Sequence, residues 1–204
     1  GSSEFMSNVS MSLVGMLYNV QLMHYAGQDG VAAYGVMMYV SMIFAAAFIG
    51  YSIGAAPVVS YHFGAQHHDE LHGLLRRSLI LILIFAVCMT AAAELLAHPL
   101  ARLFVGYDAA LTALTVSGFR IFSLAFLLMG FSIFGSGFFT ALNDGLTSAL
   151  ISFLRTLVFQ SAAVLLLPRL WGIDGVWISI VFAECMAVAL TALFLVGKRK
   201  RFHY

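Results

Sequence analysis

Residues 78–97 read SLILILIFAVCMTAAAELLA, an apolar run with a single carboxylate in it. Arg76 and Arg77 stand immediately before this run, and Pro99 lies just beyond it. About 20 mainly apolar residues are enough to carry an α-helix across the hydrocarbon layer of a bilayer. The run is continuously apolar, whereas the strands of a membrane barrel alternate between apolar and polar residues. The segment 74–97 therefore predicts a membrane-spanning helix.

The rest of the chain has the same character. Apolar residues make up 62% of the 204 residues and charged residues only 9%, against roughly 45–50% and 25% in a soluble domain. The fold class that this predicts is all-α, a polytopic transmembrane bundle with the lipid bilayer as its surroundings. We predict six spans, over residues 8–26, 31–61, 74–97, 111–141, 146–168 and 173–196.

The first residues do not belong to this pattern. Gly1-Ser2-Ser3-Glu4-Phe5 has the composition of a cloning remnant, so residues 1–5 are set apart from the fold. Residues 6–204 are assigned to one six-helix unit. Met6 fits two interpretations, a native start or an internal methionine of a longer protein.

The placement of basic residues indicates an orientation. An even number of spans puts both termini on one side, together with Arg76, Arg77 and the basic run 198–201. Arg102 and Arg169 fall on the opposite side. Basic residues are enriched in cytoplasmic loops, so we predict a multi-pass protein of the cytoplasmic (plasma) membrane with both termini inside.

Two features of the first two spans concern helix contacts. The first span is interrupted by polar residues such as Asn8, Ser12 and Asn19, and polar groups in hydrocarbon are costly, so we expect this helix to face protein or water. The second span contains Gly50 and Gly54 in a GxxxG pattern, which permits close approach of helices. We expect this pattern to serve packing within the chain rather than a dimer face.

Three segments resemble the multidrug and toxin extrusion (MATE) family of transporters. They are GYSIGAAPVVSYHFGAQ at 50–66, Arg120-Ile121-Phe122 followed by FFTAL at 138–142, and GIDGVW at 172–177 followed by Ala183-Glu184. The similarity extends over all residues after the remnant. It is strongest to the second, C-terminal six-helix lobe of the bacterial drug-efflux branch.

The resemblance implies a function. Members have twelve helices in two six-helix lobes, and they exchange Na⁺ or H⁺ for small organic, often cationic, compounds by alternating access of a cleft between the lobes. This chain would form one wall of that cleft, with a missing first lobe or a second copy of the chain as the other. No cofactor beyond the coupling ion is implied. Where some members carry a glutamate in the first helix and an aspartate in the fourth, this chain has Asn19, Gln21 and Arg120.

The candidates for the substrate and cation pathway are five residues: Asn19, Gln21, Arg120, Gln160 and Glu184. Glu184 lies within the sixth span, where desolvation disfavours a carboxylate anion and makes proton exchange useful for coupling. Arg120 and Arg155, both within spans, are its possible partners. For Arg155 we favour snorkelling to the cytoplasm or pairing with a helix end over contact with a substrate. Three amide side chains could form hydrogen bonds to a ligand or between helices: Asn19, Gln21 and Gln160. No catalytic residue is predicted, so the chain is not expected to be an enzyme.

Three alternatives remain open. A flippase for lipids or lipid-linked saccharides, from the same superfamily, would need a groove lined with basic residues. An intramembrane metal-dependent enzyme would use the histidine cluster 62–72, although His68-Asp69-Glu70-Leu71-His72 is not HExxH and no metal site is predicted. A non-transporting remnant or assembly subunit is the third. The sequence shows no nucleic-acid patch.

Overall fold

The chain is helical apart from short joints. In the computed structural model the backbone is described for residues 2–204, and side chains are described for residue 5 and residues 8–204. A 3₁₀ turn at Ser123–Ala125 and a π-helical segment at Leu154–Phe159 interrupt two of the spans. In chain order the helices are α1 (Ser2–Gly64), α2 (His68–Val105), α3 (Ala109–Phe122), α4 (Phe126–Ala141), α5 (Gly145–Phe153), α6 (Gln160–Leu166), α7 (Pro168–Trp171), α8 (Ile173–Gly197) and α9 (Arg199–Phe202). The proposed remnant 1–5 includes Gly1, which lies outside the described residues, and its origin stays a prediction.

One glycine divides α1 into two spans. Gly27 has φ 65° and ψ −151°, a combination that glycine adopts without steric cost because it has no Cβ. We call residues 2–26 the first arm and residues 28–64 the second arm. The second arm is longer than the predicted span 31–61, because the helix resumes directly after Gly27. Pro57 lies inside the second arm and does not interrupt it.

With α1 counted as two arms, the part of the chain that the structure describes contains six helical spans. The third span is α2, the fourth is α3 with α4, the fifth is 145–171, and the sixth is α8. The predicted all-α, six-span bundle is confirmed. The helix α2 continues through Pro99 to Val105, past the predicted end at 97, because a proline removes one backbone hydrogen bond without forcing the chain to turn.

The fourth span forms the centre of the bundle, and glycines bring its neighbours close. A Cβ at Gly118 would lie 2.6 Å from Met37 of the second arm and 2.6 Å from Trp177 of α8. A Cβ at Gly130 would lie 2.5 Å from the ring of Phe48. Such contacts are too short for real atoms, so α3 and α4 pack against the second arm and α8 at distances that only glycine permits.

The GxxxG pattern of the second arm makes no close helix contact within the part of the chain that the structure describes. A Cβ at Gly50 or at Gly54 would meet no atom within 4 Å, and both residues are exposed. The expectation that they pack within the chain is therefore wrong. Glycines of the fourth span make the close contacts instead, since these face the core and Gly50 and Gly54 face away from it.

At the end of the bundle that carries both termini, Asp144 joins the fifth span to the tail. Its Oδ1 accepts a hydrogen bond from the backbone N–H of Thr147 and its Oδ2 accepts one from the Thr147 hydroxyl. Lys198 Nζ lies 2.9 Å from Asp144 Oδ2. Burial alone would raise the pKa of Asp144, but the hydrogen bonds from Thr147 and Lys198 and the lysine charge lower it below its ordinary value.

This pairing predicts a stability effect at acid pH. A carboxyl whose folded pKa is depressed stabilises the fold above the unfolded pKa, so the contribution is complete above about pH 4 and is lost as the pH falls further. Asp144→Asn, which keeps a capping oxygen, is expected to lower stability by about 1 kcal/mol near pH 7 and by less at about pH 3. Thermal unfolding in detergent at several pH values measures this. Lys198→Gln is the matched control and should give a similar loss that does not add to that of Asp144→Asn; full additivity of the two losses would show that the two side chains do not act as a pair.

Candidate functional site

An ion pair joins the fifth and sixth spans near their midpoints. Glu184 is the twelfth residue of α8, which has 25 residues, and it is 2% exposed. Arg155 Nε lies 3.2 and 3.1 Å from the two carboxylate oxygens, and its Nη2 lies 3.0 Å from Oε1. Two guanidinium nitrogens therefore donate hydrogen bonds to one carboxylate, an arrangement that is strong and directional.

Local helix geometry positions Arg155. The residue lies in the π-helical segment Leu154–Phe159, near the middle of the fifth span of 27 residues. A π-helical turn widens the helix and weakens its regular backbone bonding, and such turns are frequent at functional sites. Arg155 remains 19% exposed, whereas Glu184 is enclosed. Arg155 is one of the two possible partners predicted for Glu184, and it makes that pair here; the expectation that it snorkels or binds a helix end rather than a substrate stays a prediction.

The chemistry available to this pair follows from the cost of burying charge. An unpaired carboxylate at this depth is strongly destabilised, so Glu184 requires a counter-charge or a proton. Arg155 supplies the counter-charge in this structure. A proton or another cation could balance the carboxylate charge in place of Arg155.

Two tyrosines stack between the two arms of α1. Tyr18 of the first arm lies on Tyr34 of the second arm with ring centroids 5.2 Å apart. Tyr18 is fully buried, and its hydroxyl has no hydrogen-bond partner among the described residues. A buried O–H donor without a partner is available to a bound molecule or a water.

The amide residues predicted for the pathway lie in three settings. Gln21 Nε2 donates a 2.8 Å hydrogen bond to the carbonyl of Val164, which joins the first arm to α6. Gln160 is half-buried and begins α6, directly after the π-helical segment. Asn19 is exposed on the outer side of the first arm. The structure therefore gives Gln21 a contact between helices and leaves Asn19 facing away from the bundle.

Arg120 does not join Glu184. Its side chain is exposed and lines a cavity of about 700 Å³ between α2 and α3, together with His98 and Arg102. Of the two arginines named as partners for Glu184, Arg155 makes the pair. Successive spans run in opposite directions, and Arg155 and Glu184 each lie near the middle of theirs, so equal depth is a signal that could have selected Arg155. Tyr18 carried no such signal, because its neighbours depend on how the two arms fold together.

The histidine cluster 62–72 forms pairs rather than a metal site. His62 Nδ1 lies 3.1 Å from His67 Nδ1, and the ring centroids of His68 and His203 are 4.8 Å apart. Among the residues described, no three His, Cys, Asp or Glu side chains are arranged to hold a metal ion. The alternative of a metal-dependent enzyme therefore gains no support from these contacts.

Comparison with known proteins agrees with this architecture. The MatE family model matches residues 5–164. The chain is 24% identical over 202 residues to the multidrug export protein MepA of Staphylococcus aureus (strain NCTC 8325 / PS 47). That alignment covers 98% of this chain but 44% of MepA, so the chain spans less than half the length of this relative.

Solved structures give the same result for the fold. The outward-facing structure of a multidrug resistance MATE transporter of the MOP superfamily superposes with a TM-score of 0.88 at 23% identity, over 99% of this chain and 45% of that one. An inward-facing structure with the same description gives a TM-score of 0.89 at 21% identity, over 99% of this chain and 46% of that one. The six spans therefore have the fold of one half of these transporters.

Proposed function

The chain belongs to the MatE family, and from this membership we propose that it is the second six-helix lobe of an antiporter that exports small organic cations in exchange for H⁺ or Na⁺. The observation that carries the proposal is the ion pair of Arg155 and Glu184 at mid-membrane depth. A multi-pass lobe without an ionisable site could form a wall of a cleft, but it could not couple two cations. The proposal assigns that coupling to Glu184.

The exchange would proceed through competition for one carboxylate. Protonation of Glu184 removes its charge and releases Arg155, so the affinity for an organic cation falls. Loss of that proton on the other side of the membrane restores a negative site, for which Arg155, Na⁺ or the organic cation compete. Mutual exclusion of the coupling ion and the substrate is the thermodynamic requirement for antiport, and alternating access would carry each across in turn.

The cleft requires a second wall, which we propose to be a preceding first lobe or a second copy of this chain. Polar residues of the first arm, including Ser12 and Asn19, are exposed. Gly50 and Gly54 of the second arm are also exposed, with open space around them. Polar side chains and a GxxxG face suit contact with another protein surface better than contact with lipid.

We further propose that the lobe lies in the cytoplasmic membrane with both termini inside. The support is the distribution of charge, with Arg76, Arg77 and the run 198–201 at one end and Arg102 and Arg169 at the other. Single cysteines replacing Arg77 and Arg169, in a background without Cys88 and Cys185, test the orientation in whole cells. A membrane-impermeant thiol reagent should label position 169 only, and labelling of position 77 alone would reverse the orientation.

The transport proposal is tested with the protein in lipid nanodiscs and in proteoliposomes. We expect tetraphenylphosphonium to bind, and bound cation to be released on acidification or on addition of Na⁺. Vesicles should accumulate the cation against an imposed H⁺ or Na⁺ gradient when the protein is dimeric or is joined to a first lobe. If neither H⁺ nor Na⁺ changes the binding of tetraphenylphosphonium, and no flux of this cation is seen in either arrangement, cation-coupled export is refuted.

A flippase for lipids or lipid-linked saccharides is the second candidate. The observation in its favour is the basic cavity with Arg102 and Arg120. Arg155 cannot contribute to a basic groove while Glu184 neutralises it. Flux of a labelled lipid without flux of tetraphenylphosphonium would favour this function over cation export.

A further inference from the structure

The cavity between the end of α2 and the exposed face of α3 is a second site, separate from the ion pair. We call it the α2–α3 pocket. It has a volume of about 700 Å³ and is open to the surroundings, and it lies at the end of the bundle opposite both termini. Its lining is formed by His98, Arg102, Gly106, Ala109, Thr112, Ala113, Val116, Ser117 and Arg120.

The charge of the α2–α3 pocket is positive. Arg102 and Arg120 each contribute a permanent charge, and no carboxylate lines the cavity. The two acids nearest in the chain are otherwise engaged, since Asp108 caps α3 through the N–H groups of Ala110 and Leu111 and Glu94 accepts a 2.5 Å hydrogen bond from the Ser123 hydroxyl. Neither arginine forms an ion pair with any residue that the structure describes. Two arginines and no carboxylate among the lining residues make an anion the more favourable ligand.

Depth in the membrane restricts which anion fits. The fourth span has 33 residues, which makes it about 50 Å long, roughly 20 Å more than the hydrocarbon layer. When the span is centred on that layer, the hydrocarbon boundary falls near residue 115 and Arg120 lies about 7 Å below it. A long arginine side chain reaches from this depth to the headgroup level. Arg102 lies above the boundary, so both side chains can reach the level of lipid phosphates.

The lining also leaves room for a headgroup. Gly106, Ala109 and Ala113 present almost no side-chain bulk, and they lie between the two arginines. The Thr112 hydroxyl donates to the carbonyls of Val105 and Asp108 at 2.8 Å, which fixes the joint between α2 and α3. A preformed, basic and sterically open cavity at the hydrocarbon boundary matches a phosphate that carries acyl chains.

We propose that the α2–α3 pocket binds the phosphate of an anionic lipid of the adjacent leaflet, held between Arg102 and Arg120. Its acyl chains would lie along the lipid-facing surface of the bundle. The site requires only that the protein spans the membrane. It does not depend on Glu184, on the direction of transport or on a substrate.

The test uses the protein in nanodiscs of phosphatidylcholine alone or with phosphatidylglycerol, and native mass spectrometry counts the lipids that remain bound. Phosphatidylglycerol should be retained at roughly tenfold higher occupancy than phosphatidylcholine, and Arg102→Gln and Arg120→Gln should each remove most of that preference. Arg169→Gln is the matched control, because Arg169 is an exposed arginine at the same end of the bundle but outside the pocket. This control should retain the preference.

Two results would overturn the proposal. The first is a phosphatidylglycerol preference that survives both pocket substitutions, which would place the lipid elsewhere. The second is loss of the bound phosphatidylglycerol when inorganic phosphate alone is added, which would show that the pocket takes a free anion from solution. If either variant fails to fold, the proposal is tested on the wild-type protein in nanodiscs that contain both phosphatidylglycerol and phosphatidylethanolamine. We expect it to retain more phosphatidylglycerol, and equal retention of the two lipids would reject an anion site.

Discussion

Glu184→Gln is expected to abolish cation-coupled export. Glutamine has nearly the size of glutamate and can still accept a hydrogen bond from Arg155, but it carries no charge and cannot exchange a proton. Release of a bound organic cation by acid should therefore disappear, and flux should fall to the background of empty vesicles. This expectation rests on the proposed function, because it assigns the exchange of positive charge to this one carboxylate.

The substitution also removes the counter-charge of Arg155. Breaking a buried ion pair by removing one partner costs about 3–5 kcal/mol, and the lower end applies here because Arg155 keeps some solvent contact. We expect Glu184→Gln to destabilise the protein by about 3 kcal/mol. The double variant Arg155→Gln/Glu184→Gln should be more stable than this single variant, since it leaves no unpaired charge.

The measurement pairs tetraphenylphosphonium binding in nanodiscs at several pH values with flux in proteoliposomes. Glu94→Gln is the matched control, because Glu94 is a second membrane-embedded carboxylate whose described contact is a neutral hydrogen bond from Ser123. A glutamine oxygen can accept that bond, so this control should bind and transport as the wild type does. Normal pH-dependent transport by Glu184→Gln would eliminate the pair as the coupling site.

Gly118→Leu is expected to disrupt the packing of the lobe strongly. The residue lies where α3 meets Met37 and Trp177, two side chains that are 0% and 1% exposed. A single added Cβ would already lie 2.6 Å from both, and a leucine needs space for three further carbons. Overpacking costs about 1–3 kcal/mol in ordinary cores. Because two large buried residues would have to move together, we expect a loss of about 3 kcal/mol.

Thermal unfolding in detergent measures this loss, with Gly54→Leu as the control. Gly54 also lies in a membrane helix, but a Cβ there meets nothing within 4 Å. Removing a helical glycine from an open position should leave stability unchanged or raise it by up to about 1 kcal/mol. Equal losses at the two positions would show that the glycine contacts of the fourth span do not determine the packing.

Much of the fold could be predicted because hydropathy is a local property. Runs such as 78–97 identify a span without reference to any other part of the chain. Helix ends were less accurate, as with α2, which extends from the predicted 97 to Val105. Backbone hydrogen bonding favours continuing a helix beyond the hydrocarbon, and composition does not report where it stops.

The candidate site was only partly predictable. Glu184 could be identified because a carboxylate inside a span is costly and therefore informative. Its partner was open between Arg120 and Arg155, and Arg120 proved to face a different cavity. Tyr18 was missed, because nothing local distinguishes an ordinary core tyrosine from one whose buried hydroxyl remains without a partner.

The amino-acid sequence by itself determined the number of spans, the helical class and the depth of each charged residue, since these depend on composition along the chain and on a rise of about 1.5 Å per residue. Only the tertiary structure decided which faces meet. Helices can rotate about their axes at little local cost, so the pairing of Arg155 with Glu184, the outward position of Gly50 and Gly54 and the convergence of Arg102 with Arg120 all follow from packing. Glycines at 118 and 130 direct that packing, because close approach is possible only where a side chain is absent.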